Sequence, residues 1–188
     1  MRFIKLTSTD ENYSLVEDLL QSAFPREERR DSEKQRQFTD NNEKFHCNAI
    51  YSGNEYVGLI TYWDFTDYIY IEHFAISKSL RGKGFGKKAL STIKETIAKP
   101  IILEVEMPTD KNGNLDPIAM NRIKFYQQSG FELHELEYEQ PPYHPNDEWL
   151  PMKLMTFGNV NMKNNYKTIK QTIYREVYEV KSTTLFIA

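Results

Sequence analysis

Eight consecutive residues, Arg81-Gly82-Lys83-Gly84-Phe85-Gly86-Lys87-Lys88, combine three glycines with four basic side chains. Glycines let a backbone fold tightly. If a helix opens there, the free N–H groups of its first turn point at an anion, and the helix dipole adds to the attraction. The matching ligand is a pyrophosphate, whose oxygens Arg81, Lys83, Lys87 and Lys88 can reach. Spacing excludes two common phosphate loops. A P-loop needs four residues between its first glycine and Gly-Lys, then Ser or Thr, whereas only Lys83, Gly84 and Phe85 separate Gly82 from Gly86, and Lys88 follows Lys87. A dinucleotide fingerprint needs G-x-G-x-x-G, and here the pattern is Gly82-x-Gly84-x-Gly86.

Acidic residues form the second chemical group. Strict alternation along Ile69 to Ile76 puts Tyr70, Glu72, Phe74 and Ile76 on one face and Ile69, Ile71, His73 and Ala75 on the other. Glu72, set among aromatic side chains, can take a raised pKa and accept a proton through a water; its bland reading is a hydrogen-bonded structural acid. His73 reads as a satisfied core histidine. Glu104 and Glu106 alternate on a neighbouring segment, where they either form an anionic pocket or face solvent. Glu135, Glu137 and Glu139 make a solvated face or a lure for a cationic substrate. Cys47, the single cysteine, has no partner for nucleophilic work and reads as a small buried hydrophobe.

Positioning these groups requires one soluble domain, and 188 residues with 39% hydrophobic and 27% charged content supply it. A chain of this length needs neither a metal nor a disulfide to hold a core. One thiol and no signal peptide indicate a cytoplasmic location. No apolar run is long enough to span a membrane, and a net charge of −3 argues against a nucleic-acid coat. Charge is nevertheless segregated: residues 78–99 carry seven basic groups against Glu95, whereas residues 100–151 carry ten acids against Lys111, Arg122 and Lys124.

Periodicity predicts a first strand over 2–6 and a helix capped by Thr9 or Asp10, with Tyr13, Val16, Leu19 and Leu20 on its apolar stripe. Pro25 to Asp40 reads as a solvated charged helix. A meander follows over 45–51, 56–65 and 68–76, then a helix over 83–98 and a buried strand at 101–106. Pro117 opens a further helix capped by Gly130, and strands over 131–138 and 149–157 flank the turn Gln140-Pro141-Pro142-Tyr143-His144-Pro145. A polar linker then leads to a last helix, about 162–180, whose apolar stripe either packs back on the domain or makes a homodimer contact. The order of elements implies a mixed α/β sheet with helices on both faces and a strand–helix–strand crossover leaving 68–76.

The glycine loop resembles the acetyl-CoA loop of the GNAT superfamily of N-acetyltransferases, whose signature of Arg or Gln, two residues, Gly, one residue, Gly or Ala is matched by Arg81, Gly84 and Gly86. Glu72-His73-Phe74-Ala75-Ile76 precedes it on a strand, and Phe125-Tyr126 followed by Gly130-Phe131 is similar to the family's second cofactor-side motif. Tyr62-Trp63-Asp64 and Gln140-Pro141-Pro142-Tyr143 resemble stretches of a bacterial subgroup. Ala119 departs from the pattern, since many members have asparagine there; Asn121 or Arg122 stand nearby.

The resemblance implies a GNAT-like α/β (α+β) fold over residues 1–157, with a mostly antiparallel sheet of about seven strands and residues 158–188 as a linker and helix extension. It implies acetyl transfer from acetyl-CoA directly to a small-molecule or peptidyl amine. Phe74, Ala75 and Ile76 are expected to offer backbone groups to the pantetheine arm, Phe74 facing the thioester oxygen. Arg81, Gly82, Lys83, Gly84, Phe85, Gly86 and Lys87 are expected to hold the pyrophosphate, and Tyr126 to protonate the leaving thiolate. Glu72 is the candidate base, with Glu104, Tyr143 and His144 as acceptor contacts. The competing reading is a non-catalytic acyl-CoA-binding sensor.

Overall fold

Alternating residues at the start of the chain fold into strand β1 (Arg2–Lys5), followed by helix α1 (Tyr13–Ala23), helix α2 (Ser32–Asn41), and the meander β2 (Phe45–Ser52), β3 (Glu55–Asp64) and β4 (Ile69–Ile76). Helix α3 (Phe85–Thr96), β5 (Ile101–Glu106), α4 (Pro117–Gln128), β6 (Glu132–Gln140), β7 (Leu150–Phe157) and α5 (Met162–Glu176) complete the order. This computed structural model describes residues 1–109 and 112–181. Residues 182–188 of the C-terminal extension, and Lys111 of the 109–116 loop with its neighbour 110, lie outside the described residues. The strands make a seven-stranded mixed sheet in the order β1-β2-β3-β4-β5-β7-β6, the α/β class expected from the sequence. The chain divides into two units, Met1–Ile101 and the residues from Ile102 onward.

In the first unit β1 to β4 pair antiparallel in sequence order. Cross-strand partners share a sheet face, so Phe45, Cys47, Thr61, Trp63 and His73 stand together. Helices α1 and α2 cover that face. Phe24, just after α1, meets the His73 ring edge-on at 4.7 Å, and Phe38 of α2 packs against Trp63 at 5.4 Å. Cys47 lies here, 1% exposed, and burial pushes its thiol up to about 12.

The N-cap of α1 is Asn12, without a side-chain cap bond, rather than Thr9 or Asp10, and two further local expectations change. First, strict alternation does not survive in β4. Thr61 pairs with His73 while Tyr62 pairs with Ile71, so Glu72 is the extra residue of a β-bulge. Beyond the bulge the alternation restarts. Tyr70, His73 and Ala75 share the face under the helices, Ile69, Ile71, Phe74 and Ile76 take the other, and Glu72 turns toward Trp63 instead of lying beside Phe74. Second, Pro25 to Asp40 is not one helix. A single turn at Arg26–Glu28 is followed by extended Arg29, and α2 begins only after Asp31, whose carboxylate accepts the Lys34 N–H at 2.8 Å. Asp31 is a better N-cap than anything before it, and the extended stretch lets Arg30 turn inward, 4% exposed.

The second unit follows its local signals closely. Asp116 caps α4 by accepting from Ile118 and Ala119 N–H, Pro117 fills the first helical position, and Gly130 ends the helix at φ +82°. Ala119, Ile123 and Tyr126 form the helix's buried stripe. Strands β6 and β7 pair antiparallel, and Glu135, Glu137 and Glu139 are exposed. Helix α5 packs back on this unit through Met162, Ile169, Ile173 and Tyr174. Its Tyr166 and Tyr174 hydroxyls donate to the Glu137 and Glu139 carbonyls of β6.

Candidate active site

The glycine loop joins the end of β4 to α3. Ser77 N–H donates to the Val57 carbonyl at 2.9 Å, and Arg81 Nε donates to the Ile76 carbonyl at 3.1 Å, which ties the loop back to the strand. Phe74, Ala75 and Ile76 therefore lead directly into it. Gly82 and Gly84 have φ of +75° and +81°, left-handed values that a side chain strains. A Cβ at either position meets nothing within 4 Å, so the glycines are required by dihedral angle and the space before the backbone is open. Gly84 is the N-cap of α3 with no side-chain cap, and the first intrahelical bond is Lys88 N–H to Gly84 carbonyl. The N–H groups of Phe85, Gly86 and Lys87 are thus the unsatisfied donors of the first turn. Arg81, Lys83, Lys87 and Lys88 surround them, all exposed. Donors, dipole and charge fit a pyrophosphate.

Glu72 has a different setting from the one its spacing suggests. Its side chain is fully buried and its Oε1 pairs with Arg30 Nη1, while Oε2 accepts from Trp63 Nε1 at 2.8 Å. Arg30 lies over the Phe38 ring at 4.5 Å, with the Phe45 and Trp63 rings within 6 Å. Both carboxylate oxygens are held, as in the structural-acid reading. His73 is equally satisfied: Nδ1 bonds Thr61 Oγ1 and Nε2 bonds the Glu28 carbonyl, each at 3.0 Å, and burial lowers its pKa. The stretch Tyr62-Trp63-Asp64 now has three uses: Tyr62 stacks on His46, Trp63 holds Glu72, and Asp64 accepts from Lys99 at 2.6 Å.

In the second unit, Tyr126 is 7% exposed in the last turns of α4, edge-on to Phe125 and Phe131. Burial pushes its phenol up to about 12; Arg122 opposes the rise and Glu106 adds to it. Arg122 pairs with Glu106. Where the family favours asparagine, Ala119 is buried, Asn121 is exposed, and Arg122 is the neighbour turned toward β5. Glu104 is half-buried, with Oε1 accepting from Tyr138 Oη and Oε2 from Tyr178 Oη at 2.9 Å. The Tyr143 ring lies 5.0 Å from that of Tyr178. Two expected acceptor contacts, Glu104 and Tyr143, are thus linked through Tyr178. His144 sits in the adjoining turn, its carbonyl accepting from Asp147 N–H.

Sequence reading missed Arg30, Gly58, Tyr138 and Tyr178. A Cβ on Gly58 falls 2.3 Å from the Ala75 carbonyl, so this glycine sets how closely β3 approaches the Phe74–Ile76 segment. An isolated glycine inside a strand pattern was the available signal. Arg30 had only an indirect one, that a carboxylate on a buried strand requires a cation. The tyrosines had none, because their carboxylate partner is 34 and 74 residues away.

The sequence model of the Acetyltransferase (GNAT) family matches residues 10–131. A structure assigned to acetyltransferases of the GNAT family, from Bacteroides thetaiotaomicron, is 42% identical, covers 96% of this chain and 100% of its own, and superposes with a TM-score of 0.90. The Bacillus subtilis protein YjbC, named as an acetyltransferase, is 29% identical over 147 residues, which is 69% of this chain and 71% of its own. An aminoglycoside 6′-N-acetyltransferase complexed with coenzyme A shares the fold at 14% identity, with 86% and 100% of the two chains covered and a TM-score of 0.60.

Proposed function

Because the chain belongs to the GNAT family of acetyltransferases, we propose that it moves an acetyl group from acetyl-CoA directly to a primary amine of a small molecule or peptide. The observation that carries the cofactor assignment is the start of α3, where a left-handed, uncapped Gly84 leaves three N–H donors amid four basic side chains.

Acetyl-CoA supplies the activated thioester; the chain's residues bind, orient and move protons. Phe85, Gly86 and Lys87 N–H groups and the Arg81, Lys83 and Lys87 charges hold the pyrophosphate. The backbone of Phe74, Ala75 and Ile76 holds the pantetheine arm, and Phe74 N–H stabilises negative charge developing on the carbonyl oxygen. Tyr126 gives its proton to the leaving sulfur. With its phenol near 12 it is fully protonated at neutral pH. Arg122 opposes the burial that raises this pKa, which eases the proton transfer to sulfur. Glu72, with both oxygens engaged, is a positioning residue that fixes the β4 bulge, and because Glu104 is likewise held at both oxygens, it borders the acceptor while the ammonium proton leaves through water. Tyr143 and His144 border the acceptor.

Acetyl-CoA is expected to raise the melting temperature, as any ligand specific to the folded state does. Gly84→Val is expected to remove the shift. A wild type that shows no shift at millimolar acetyl-CoA overturns the reading. If the shift is present, release of thiol across a panel of amines identifies the acceptor, and a wild type inert against the whole panel favours the sensor.

A further inference from the structure

We infer that Glu106 is the proton relay of this site: by way of water it takes a proton that the acceptor amine sheds and hands it to Tyr126, restoring the acid for the next turnover. The inference rests on the acetyltransferase reading above and deepens it by naming where that proton goes.

Two proton movements need a common station. An ammonium loses two protons on becoming an amide, and the leaving sulfur gains one. Tyr126, having given its proton to sulfur, is left as a phenolate in a buried setting, where a charge is costly. A carboxylate beside the phenol that can hold the amine's proton answers both needs. On β5, Glu104 and Glu106 are two residues apart and share a face. Glu104 is held at both oxygens, by Tyr138 and Tyr178. Glu106 is held at one. Arg122 Nη1 donates to its Oε1, whereas Oε2 is buried with no hydrogen-bond partner among the described residues. Buried polar atoms are ordinarily satisfied, so an unfilled carboxylate oxygen breaks a local rule in the way functional sites do.

Placement supplies the function. Arg122 and Tyr126 stand four residues apart on α4, so their side chains share one helix face, and the ion pair pins Glu106 against that face. Glu106 is close enough to Tyr126 for its charge to help raise the phenol. Its side chain is also 27% exposed, so its outer edge meets water while Oε2 is turned inward. A half-turn about the terminal torsion exchanges the two oxygens, and such torsions are broad and two-fold. In one turnover the C–N bond forms and the C–S bond breaks. One amine proton passes through water to Glu106, which becomes a carboxylic acid; Tyr126 gives its proton to sulfur, and the phenolate takes the proton waiting on Glu106. The second amine proton goes to solvent, and both side chains end as they began. A proton on Glu106 also removes a negative charge from beside the phenol, which makes Tyr126 a readier donor when the amine has been deprotonated.

The test uses the full chain labelled with 3-fluorotyrosine, in which the 19F resonance of Tyr126 is identified by its absence in Tyr126→Phe. As pH falls through the carboxylate range, that resonance is expected to move in one step. Glu106→Gln should remove the step and Glu104→Gln should leave it. A wild-type resonance indifferent to acid, or a step that survives in Glu106→Gln, overturns the inference. Glu106→Leu, of similar volume, serves should Glu106→Gln fail to fold. The acetyl-CoA melting shift, followed in the same samples, separates the two readings. Its absence in the wild type removes the acetyltransferase proposal, whereas a normal shift with an indifferent Tyr126 resonance removes only the relay. With an acceptor identified by thiol release, Glu106→Gln should lower kcat by about 100-fold, the lower end of what a positioned proton-transfer group contributes, and change KM less than about threefold. In a Tyr126→Phe background the same substitution should have no further effect on kcat, because the relay then has nothing to serve; a fully additive loss overturns the inference.

Discussion

Glu72 and Arg30 show how burial changes the meaning of a residue. Taking away one member of a buried ion pair strands the other charge and costs about 3–5 kcal/mol. Glu72→Ala should therefore lower the melting temperature by roughly 6–20 °C in a chain of this size, while acetyl-CoA still stabilises the variant. A fully stable Glu72→Gln that has lost all turnover would instead restore Glu72 as the base. Tyr126 makes the opposite kind of prediction, about rate. Tyr126→Phe should lower kcat by about 10²–10⁴-fold, the usual contribution of a positioned acid. The sign of its pH effect follows from the raised pKa. The acid form is the working form, so activity lost through Tyr126 ionisation appears only as pH approaches about 12. A pH–rate profile between 7 and 10 should show no descending alkaline limb from this group, and one that disappears in Tyr126→Phe would keep Tyr126 as the acid but show that burial does not raise its pKa.

Elements, more than single residues, were legible in the sequence. Pro117 and Gly130 placed α4 within a residue, because each acts through its own backbone. The meander and β5 were readable for a similar reason, through alternation and turn residues. What escaped was long-range. The β4 bulge is a property of pairing with β3, and nothing within Ile69–Ile76 announces that Glu72 is the supernumerary residue. The Pro25–Asp40 segment shows the same limit, since its charge density concealed one arginine destined for the interior. Helix α5 has a structural duty that no local pattern announces. It covers β6, a terminal strand of the sheet order, by donating Tyr166 and Tyr174 hydroxyls to alternate carbonyls. A strand edge left bare is a template for pairing with another chain. Truncation after Gly158 should produce concentration-dependent association in light scattering, whereas Tyr166→Phe alone should leave the particle size unchanged.

At the scale of the whole molecule, a net charge of −3 averages a cationic segment and an acidic one. Residues 78–99 at +6 hold the loop, with Arg81, Lys83, Lys87 and Lys88 exposed. Exposed charges are screened once the Debye length falls from about 10 Å at 0.1 M salt toward 3 Å at 1 M. Calorimetric titration should accordingly show acetyl-CoA affinity falling several-fold over that range, and Lys87→Glu should flatten the dependence. A salt-independent affinity would shift the binding from the lysines to the backbone. The interior has a consequence of another kind, for labelling chemistry. Cys47 is the single cysteine of the chain, it is sealed beneath the helices, and its thiol is held near 12. Its thiolate fraction at neutral pH is about three orders of magnitude below that of an exposed cysteine. A cysteine introduced at any surface position can therefore carry a maleimide dye or spin label with the native residue left in place, and the folded chain becomes its own protecting group.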